Sequence, residues 1–343
     1  MGSVVDRVVP HLPAPEETVL EEARAASRRG PDAHGRLLRR IPAFAAIEQR
    51  PPDRVRACPA ILRIAAFNSE RLGSRPATRF LLERAGADLA LLSEVDCGMA
   101  RSGNTHNLRD LTATGREGYL FGAEFVELDL GDRGEMRAHA GERNAAGLHG
   151  NAIVTGLALE APHLIPLEAG GLWFSGFEGA QRRIGRRMAL AARVGDAPLP
   201  LWVVSTHLES KTDPADRQRQ IQALLKALDA IAPDAPCVIG GDFNTKALPR
   251  SEDERHLLLD APERYEPLFG DLAQAGFAWT GANLARPTQT PGPKNKHAPP
   301  FGKLDWIVAR GLPVANPRIV PAVDREGRAV SDHEMIAVDV RLP

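Results

Sequence analysis

The sequence predicts an α/β protein in which two β-sheets pack face to face, with helices on their outer surfaces. Three observations predict it. Short apolar segments with strand periodicity recur nine times, which is more than one sheet comfortably holds, and amphipathic helical segments lie between them. The chain is 343 residues long, 43% hydrophobic and 25% charged, enough for a substantial core.

The N-terminal part, residues 1 to 58, reads as a helical extension. Glu16 to Ser27 and Gly35 to Gln49 are rich in Ala, Leu, Glu and Arg, and are broken by Pro-Asp at 31 and Pro-Pro-Asp at 51. Strands are expected at Ile61–Asn68, Asp88–Val95, Tyr119–Leu128, Asn151–Thr155, Met188–Val194, Leu201–Leu208, Val238–Asn244, Leu304–Ala309 and Met335–Leu342. The clearest helix is Pro214 to Ile231, with Asp213 as N-cap, Pro214 in the first turn, and Ile221, Leu224, Leu225 and Leu228 on one stripe. Further helices are expected over Ala77–Ala87 and Glu266–Ala275, and long loops over 129–150 and 281–303. The main domain is expected to run from 59 to 343.

Composition excludes several classes of partner. The formal net charge is −1, so no global field drives the chain onto nucleic acid or an anionic membrane. Three cysteines, Cys58, Cys97 and Cys237, have neither metal-site spacing nor an even count, which fits a reducing, cytoplasmic setting. The N-terminus lacks a basic start followed by an apolar run, and no transmembrane segment is expected.

Chemistry concentrates at strand ends. In CVIGGDFNT, Cys237 to Thr245, an apolar strand leads into Gly240-Gly241, expected to open a turn, and alternation puts Asp242 and Asn244 on one side with Phe243 facing the core. Asn68, Glu94, His207, Asp305 and the Asp332-His333 pair stand at the ends of other strands. Any one of these is ordinary as a turn former or cap. Four carboxylates, two amides and two imidazoles collected at strand ends are not explained by turns alone.

The series resembles the endonuclease/exonuclease/phosphatase superfamily of metal-dependent phosphoesterases. The matching stretches are Phe67-Asn68, LLSEVD (91–96), GNAIVTG (150–156), STHL (205–208), GGDFNT (240–245), LDWI (304–307) and SDH (331–333), in the family's order over roughly residues 60 to 343. The resemblance implies a DNase I-like, four-layered α/β sandwich of two mainly antiparallel sheets flanked by helices. It implies Mg²⁺, replaceable by Mn²⁺, on Glu94 with Asn68 beside it and Asp332 nearby. Asp242 would orient or deprotonate the attacking water, Asn244 would contact a phosphate oxygen, and Asp305 would hold His333. Whether Asp242 or His333 is the base stays open. His207 in STHL places the chain with the DNase I, sphingomyelinase and inositol phosphatase branches, in which a glutamate braces this histidine. Glu124 is the first candidate and Glu127 the second; three apart on a strand, they are expected to face opposite sides. The arginine expected before the strand at Met188 is Arg186 or Arg187. A Phe stands where the family commonly has Trp before the Asn.

Lysine is scarce, six residues against 37 arginines, and five of the six lie near these motifs. Lys211, Lys246, Lys294, Lys296 and Lys303 are therefore expected to form an anionic-substrate rim. The expected partner is a phosphorylated substrate, with nucleic acid the first guess for a phosphodiesterase. Two Tyr and four Trp offer little surface for stacking bases, and phosphomonoester, inositol phosphate or sphingomyelin hydrolysis stand as alternatives. A catalytically silent binding protein of the same fold would have lost a metal or proton-handling residue, and none is lost. No protein partner is legible.

Overall fold

The structure is a computed structural model that describes residues 3–26, 31–167, 181–294 and 297–343. Its strands, in chain order, are β1 (Val8–Val9), β2 (Ile47–Arg50), β3 (Ile61–Arg71), β4 (Leu89–Cys97), β5 (Gly118–Glu127), β6 (Leu148–Thr155), β7 (Leu159–Pro166), β8 (Arg183–Gly185), β9 (Met188–Val194), β10 (Trp202–His207), β11 (Cys237–Asp242), β12 (Asp305–Arg310), β13 (Val314–Val320) and β14 (Met335–Arg341). One sheet has the order β1-β2-β5-β6-β4-β3-β14-β13, with β8 also paired to β5; the other has the order β12-β11-β10-β9-β7. Most pairings are antiparallel, with β1/β2, β3/β4 and β10/β11 parallel.

Side-chain alternation sorts the interior into three apolar layers. Leu62, Ile64 and Ala66 of β3 meet Val203 of β10, Val238 of β11 and Ile307 of β12 between the sheets. Ala65 and Phe67 face outward, where helices Glu17–Ala26 and Arg75–Ala85 cover them. On the other side, Ile239 and Trp306 lie under helices Pro214–Ile231 and Leu268–Gln274. This is the expected four-layered sandwich. The long helix begins as its sequence requires, with the Asp213 carboxylate accepting from Asp216 N at 2.8 Å and Ile221, Leu224, Leu225 and Leu228 buried. Among the described residues, no helix is long and apolar enough to cross a membrane.

Several expectations are corrected. The N-terminal extension is not wholly helical. The second helix spans Pro31–Leu38, and β2 then adds to β5, so the segment expected as helix to Gln49 ends as a strand. Val5 also exchanges backbone hydrogen bonds with Leu164 of the other sheet, at 2.9 and 2.8 Å. Within the expected loop 129–150, a helix spans Arg133–Ala138, begun by a capping box of Asp132 and Glu135, and β6 starts at Leu148.

Gly240 and Gly241 do not open a turn. They lie inside β11, paired with Ser205 and Thr206 of β10 on one side and with Ile307 and Trp306 of β12 on the other. A Cβ on Gly240 would stand 2.8 Å from Leu91 Cδ1, and one on Gly241 would stand 1.9 Å from the Thr206 carbonyl oxygen. The pair is there for close approach between and along the sheets.

Candidate active site

Three neighbouring strands deliver a row of polar side chains to one end of the sandwich. In the register of β10, β11 and β12, His207 pairs with Asp242, and Asp242 with Asp305. From the opposite sheet come Asn68, near the end of β3, and Glu94 in β4. Ser331 Oγ donates to the Asn68 carbonyl oxygen at 2.7 Å and accepts from His333 N at 3.1 Å, tying the loop before β14 to β3.

Asp242 is the hub. Its Oδ1 accepts from the Asn244 backbone N–H at 2.8 Å, and the chain turns away at Asn244 in the left-handed region (φ 51°). Its Oδ2 accepts from Asn68 Nδ2 at 3.2 Å and lies 3.6 Å from His207 Nε2 and 3.7 Å from His333 Nε2. Phe243 is buried under the helices, as alternation requires. Asn244 Nδ2 donates to the Leu208 carbonyl at 3.0 Å, which fixes its side chain beside the cavity.

The two imidazoles flanking Asp242 are opposites. His333 Nδ1 donates to Asp305 Oδ2 at 2.8 Å. Burial opposes a charge on this ring, but Asp305 and Asp242 outweigh it and hold His333 well above an ordinary histidine. Burial pushes His207 well below, and the Arg187 charge adds to the effect. Arg187 Nη1 donates to His207 Nδ1 at 2.9 Å; since a guanidinium only donates, this nitrogen carries no proton and the neutral ring keeps its hydrogen on Nε2, toward Asp242.

This overturns the expected brace. Glu124 Oε2 is 3.7 Å from His207 Nδ1 but 2.9 Å from Arg187 Nη1, so the glutamate holds the arginine and the arginine holds the histidine. Glu209, which the sequence reading passed over, takes the other edge of the guanidinium at 3.1 Å. Of the two candidate arginines, Arg187 is the one that lines the cavity. Nor do Glu124 and Glu127 face opposite sides. A bulge between Ala123 and Phe125 adds a residue, and Glu127 reaches Arg101 while Glu124 reaches Arg187, two arginines of the same cavity wall.

Glu94 also stands at a bulge, between Leu92 and Val95, with φ 55°. Leu92 and Val95 both join the outer core although they are three apart, and the extra residue turns the Glu94 carboxylate into the cavity. Its Oε1 accepts from Asn68 Nδ2 at 3.1 Å. Burial works against its charge, but His149 and Arg71 hold it below an ordinary glutamate. Asp332 lines the same cavity, with His297 Nε2 3.3 Å from its Oδ2.

Glu70 was missed, although it lies two residues beyond Asn68. It opens three successive left-handed residues, with φ 42°, 70° and 52° at Glu70, Arg71 and Leu72, a strained run that non-glycine residues rarely adopt. Its side chain is buried and neither carboxylate oxygen has a hydrogen-bond partner. The nearest cation, Arg71, stands 3.9 Å away and gives its other amino group to Glu135 at 3.1 Å. Burial raises Glu70 to about 7, and Asp332 and Glu94 add to the rise.

The residues fit a hard divalent cation on this side. Glu94, Asp332 and Glu70 are oxygen donors, the kind Mg²⁺ takes, and the Glu70 oxygens have no hydrogen-bond partner, with Arg71 no closer than 3.9 Å. Asp242, Asp305 and His333 also offer donor atoms within 4.8 Å of one another. There a charged imidazole already stands between the two carboxylates.

Of the expected lysine rim, Lys211 and Lys246 line the cavity, the latter donating to the Ser210 carbonyl at 2.9 Å. Lys303 does not belong to it. It is 1% exposed, packs its ammonium 4.2 Å over Trp306, and donates to the Asp305 carbonyl oxygen at 3.1 Å and Asn283 Oδ1 at 3.4 Å. Burial pushes it down to about 7. Lys294 is half-exposed and pairs with Glu135 at 3.4 Å, away from the cavity lining, and Lys296 lies outside the described residues.

The comparisons with known proteins agree with this geometry. Residues 81–333 match the model of the Endonuclease/Exonuclease/phosphatase family. The chain belongs to that family. An endonuclease/exonuclease/phosphatase from Beutenbergia cavernae superposes with a TM-score of 0.59 at 21% identity, over 82% of this chain and 72% of that one. TDP2 from Caenorhabditis elegans superposes at 0.51 with 14% identity, over 82% and 74%, and the human Nocturnin catalytic domain with bound sulfate at 0.51 with 16%, over 88% and 98%. At these identities the likeness is one of fold. No curated protein matches the chain in sequence. Members of this endonuclease/exonuclease/phosphatase family are generally phosphoester hydrolases that use divalent metals, and the acidic and imidazole groups collected here are of that kind.

Proposed function

We propose that the protein is a Mg²⁺-dependent phosphodiesterase of nuclease type, with Mn²⁺ able to substitute, that grips its substrate by the phosphate rather than by the bases. The observation that carries this reading is the placement of Asp242 between a charged and a neutral imidazole, opposite an oxygen-donor wall whose charge is unanswered.

Asp242 is the base. Burial raises it to about 7 against the pull of His333, so it can accept a proton near neutral pH. His333, charged and with Nδ1 committed to Asp305, has no lone pair to accept one. Water oxygen bonds to phosphorus as the P–O bond to the leaving group breaks, and the water proton passes to the Asp242 carboxylate. His333 Nε2 donates to a phosphoryl oxygen as charge grows there, and the neutral His207 Nε2–H and Asn244 hold the same group from the other side. A divalent cation on Glu94, Asn68, Asp332 and Glu70 would supply positive charge against the phosphoryl and departing oxygens.

The cavity of about 250 Å³ is lined by Arg71, Arg183, Arg187, Lys211 and Lys246 around the catalytic groups. Among the described residues the one Phe, Tyr or Trp that lines it, Phe125, is already stacked with His149 at 4.4 Å and carries Arg183 at 4.9 Å, which favours phosphate over base recognition. A small cavity also suits a compact phosphomonoester, the second reading. Incubation with plasmid DNA, single-stranded DNA, RNA, inositol phosphates, sphingomyelin and p-nitrophenyl mono- and diesters in Mg²⁺ separates the two. Turnover of diesters, lost in EDTA and reduced at least about 1,000-fold in Glu94→Ala, supports the proposal. Full activity after metal stripping refutes it.

A further inference from the structure

The cavity has a second Asp–His pair that the mechanism above leaves unused. His149 of β6 lies in register with Asp96 of β4 and Phe125 of β5. Its Nδ1 is 2.7 Å from Asp96 Oδ1, and its ring is stacked on Phe125 at 4.4 Å with 24° between the planes. Asp96 is itself clamped by Arg101, which donates from Nε and Nη2 at 2.8 and 2.9 Å to the two carboxylate oxygens and spends Nη1 on Glu127 and Glu135. The carboxylate is fully buried. Ring position and plane are thus fixed, and the tautomer follows from the closer partner: Asp96 Oδ1 at 2.7 Å accepts from Nδ1, while Arg101 Nη2 stands off at 3.4 Å. Nε2 has no hydrogen-bond partner among the described residues, and the ring lines the cavity with Glu94, His207 and His333.

A buried ion cluster this elaborate is not needed to seat one imidazole in a hydrophobic stack. The same arrangement, a carboxylate behind Nδ1 and an open Nε2 in front, is what Asp305 makes of His333 across the cavity. We propose that His149 is a third substrate-contacting imidazole of this site, its Nε2 hydrogen-bonding a phosphoryl oxygen of the bound ester, and that Asp96 and Arg101 are its positioning residues. In the free protein burial and the Arg101 charge hold this ring below an ordinary histidine against the pull of Asp96, so the proton that makes Nε2 a donor arrives with the phosphate anion in front of it. The contact makes the pocket one for the phosphate group itself, which deepens the phosphoesterase reading and rests on it for the identity of the ester.

The test separates the contact from a structural role and from turnover. His149→Asn keeps a short side chain able to donate toward Asp96 but withdraws the cavity-facing nitrogen, whereas His149→Gln keeps a donor that reaches the cavity. Binding of inorganic phosphate to the Mg²⁺-loaded protein is measured by calorimetry, together with KM and kcat on the substrate found above. Loss of one charge-assisted hydrogen bond predicts about tenfold weaker phosphate binding and a similar rise in KM for His149→Asn, with the melting temperature kept and much of the affinity restored in His149→Gln. In the wild-type protein, phosphate should also move the ¹⁵N resonance of His149 Nε2, a readout that needs no variant to fold. Phosphate affinity and KM within twofold of wild type in a folded His149→Asn protein, or an Nε2 resonance indifferent to saturating phosphate, overturns the proposal while leaving the phosphoesterase reading intact. Phosphate bound through His149 by a protein that turns over no ester has the opposite meaning.

Discussion

Two carboxylates that burial raises to about 7, Asp242 in the cavity lining and Glu70 next to its lining residue Arg71, differ in what answers the charge. Asp242 has two amides and a charged imidazole around it. Glu70 has neither amide nor close cation, only a loose Arg71 and two further acids, Asp332 and Glu94. The protein has thus completed the charge balance on one wall and left it open on the other. Unanswered charge, rather than the number of acidic residues, is the ground on which the proposal above puts the cation on the Glu70 side.

The largest effect is expected from breaking the completed wall. Asp305→Asn removes the charge that keeps His333 protonated and should lower kcat by about 100-fold or more. The pH profile sharpens the point. Activity should rise as Asp242 ionises near 7 and fall again when His333 loses its proton at higher pH. Asp305→Asn should draw that alkaline fall toward neutrality, since the ring loses the largest of the charges raising it, and should also move the acid limb to lower pH, since the same charge helps raise Asp242. A profile shifted on its acid side alone would mean that the base has been misassigned.

The open wall breaks differently. Glu70→Gln should weaken Mn²⁺ binding by about tenfold or more, yet stabilise the metal-free protein. The sign follows from linkage: a carboxylate raised to about 7 in the folded chain and ordinary in the unfolded one costs stability from about pH 4 upward, and the cost reaches its plateau above 7. At pH 8 the gain is of the order of 1–3 kcal/mol, read as a higher melting temperature in EDTA and absent at pH 4. Loss of stability in EDTA would show that Glu70 has protein partners after all.

How much of this was legible in the sequence depended on whether alternation held. Where β10, β11 and β12 run without interruption, a period of two places Asp242 beside its neighbours and buries Phe243, so His207, Asp242 and Asp305 could be read as one row. Where a bulge intervenes, parity fails without a sign in the residue types. Glu94 was read as a strand-end residue although it sits at a bulge inside β4, and Glu124 and Glu127 were assigned to opposite faces because the extra residue in β5 is invisible to counting. Weak edge strands were missed for another reason: β7 contains Pro162 and Pro166 and β13 contains Asn316 and Pro317, edge-compatible residues that read as loop. Gly240-Gly241 resembled a turn because a close approach by another strand leaves no mark in a single sequence.

The lysines give the smallest effects and divide along the same line of what answers a charge. Lys211 and Lys246 are exposed residues of the cavity lining, the latter held by the Ser210 carbonyl, so their worth to an anionic substrate is modest and screened. On single-stranded nucleic acid, replacing both by Ala should raise KM several-fold and reduce the salt dependence of binding by about 0.7 per lysine. Lys303 should behave as its burial dictates. Lys303→Ala removes an ammonium packed over Trp306 and bonded to the Asp305 backbone, so it should lower stability by about 1–3 kcal/mol and leave the salt slope unchanged. A salt slope that falls in Lys303→Ala as much as in the double variant would place that ammonium on the substrate, and the distinction between interior and cavity-facing lysines would fail with it.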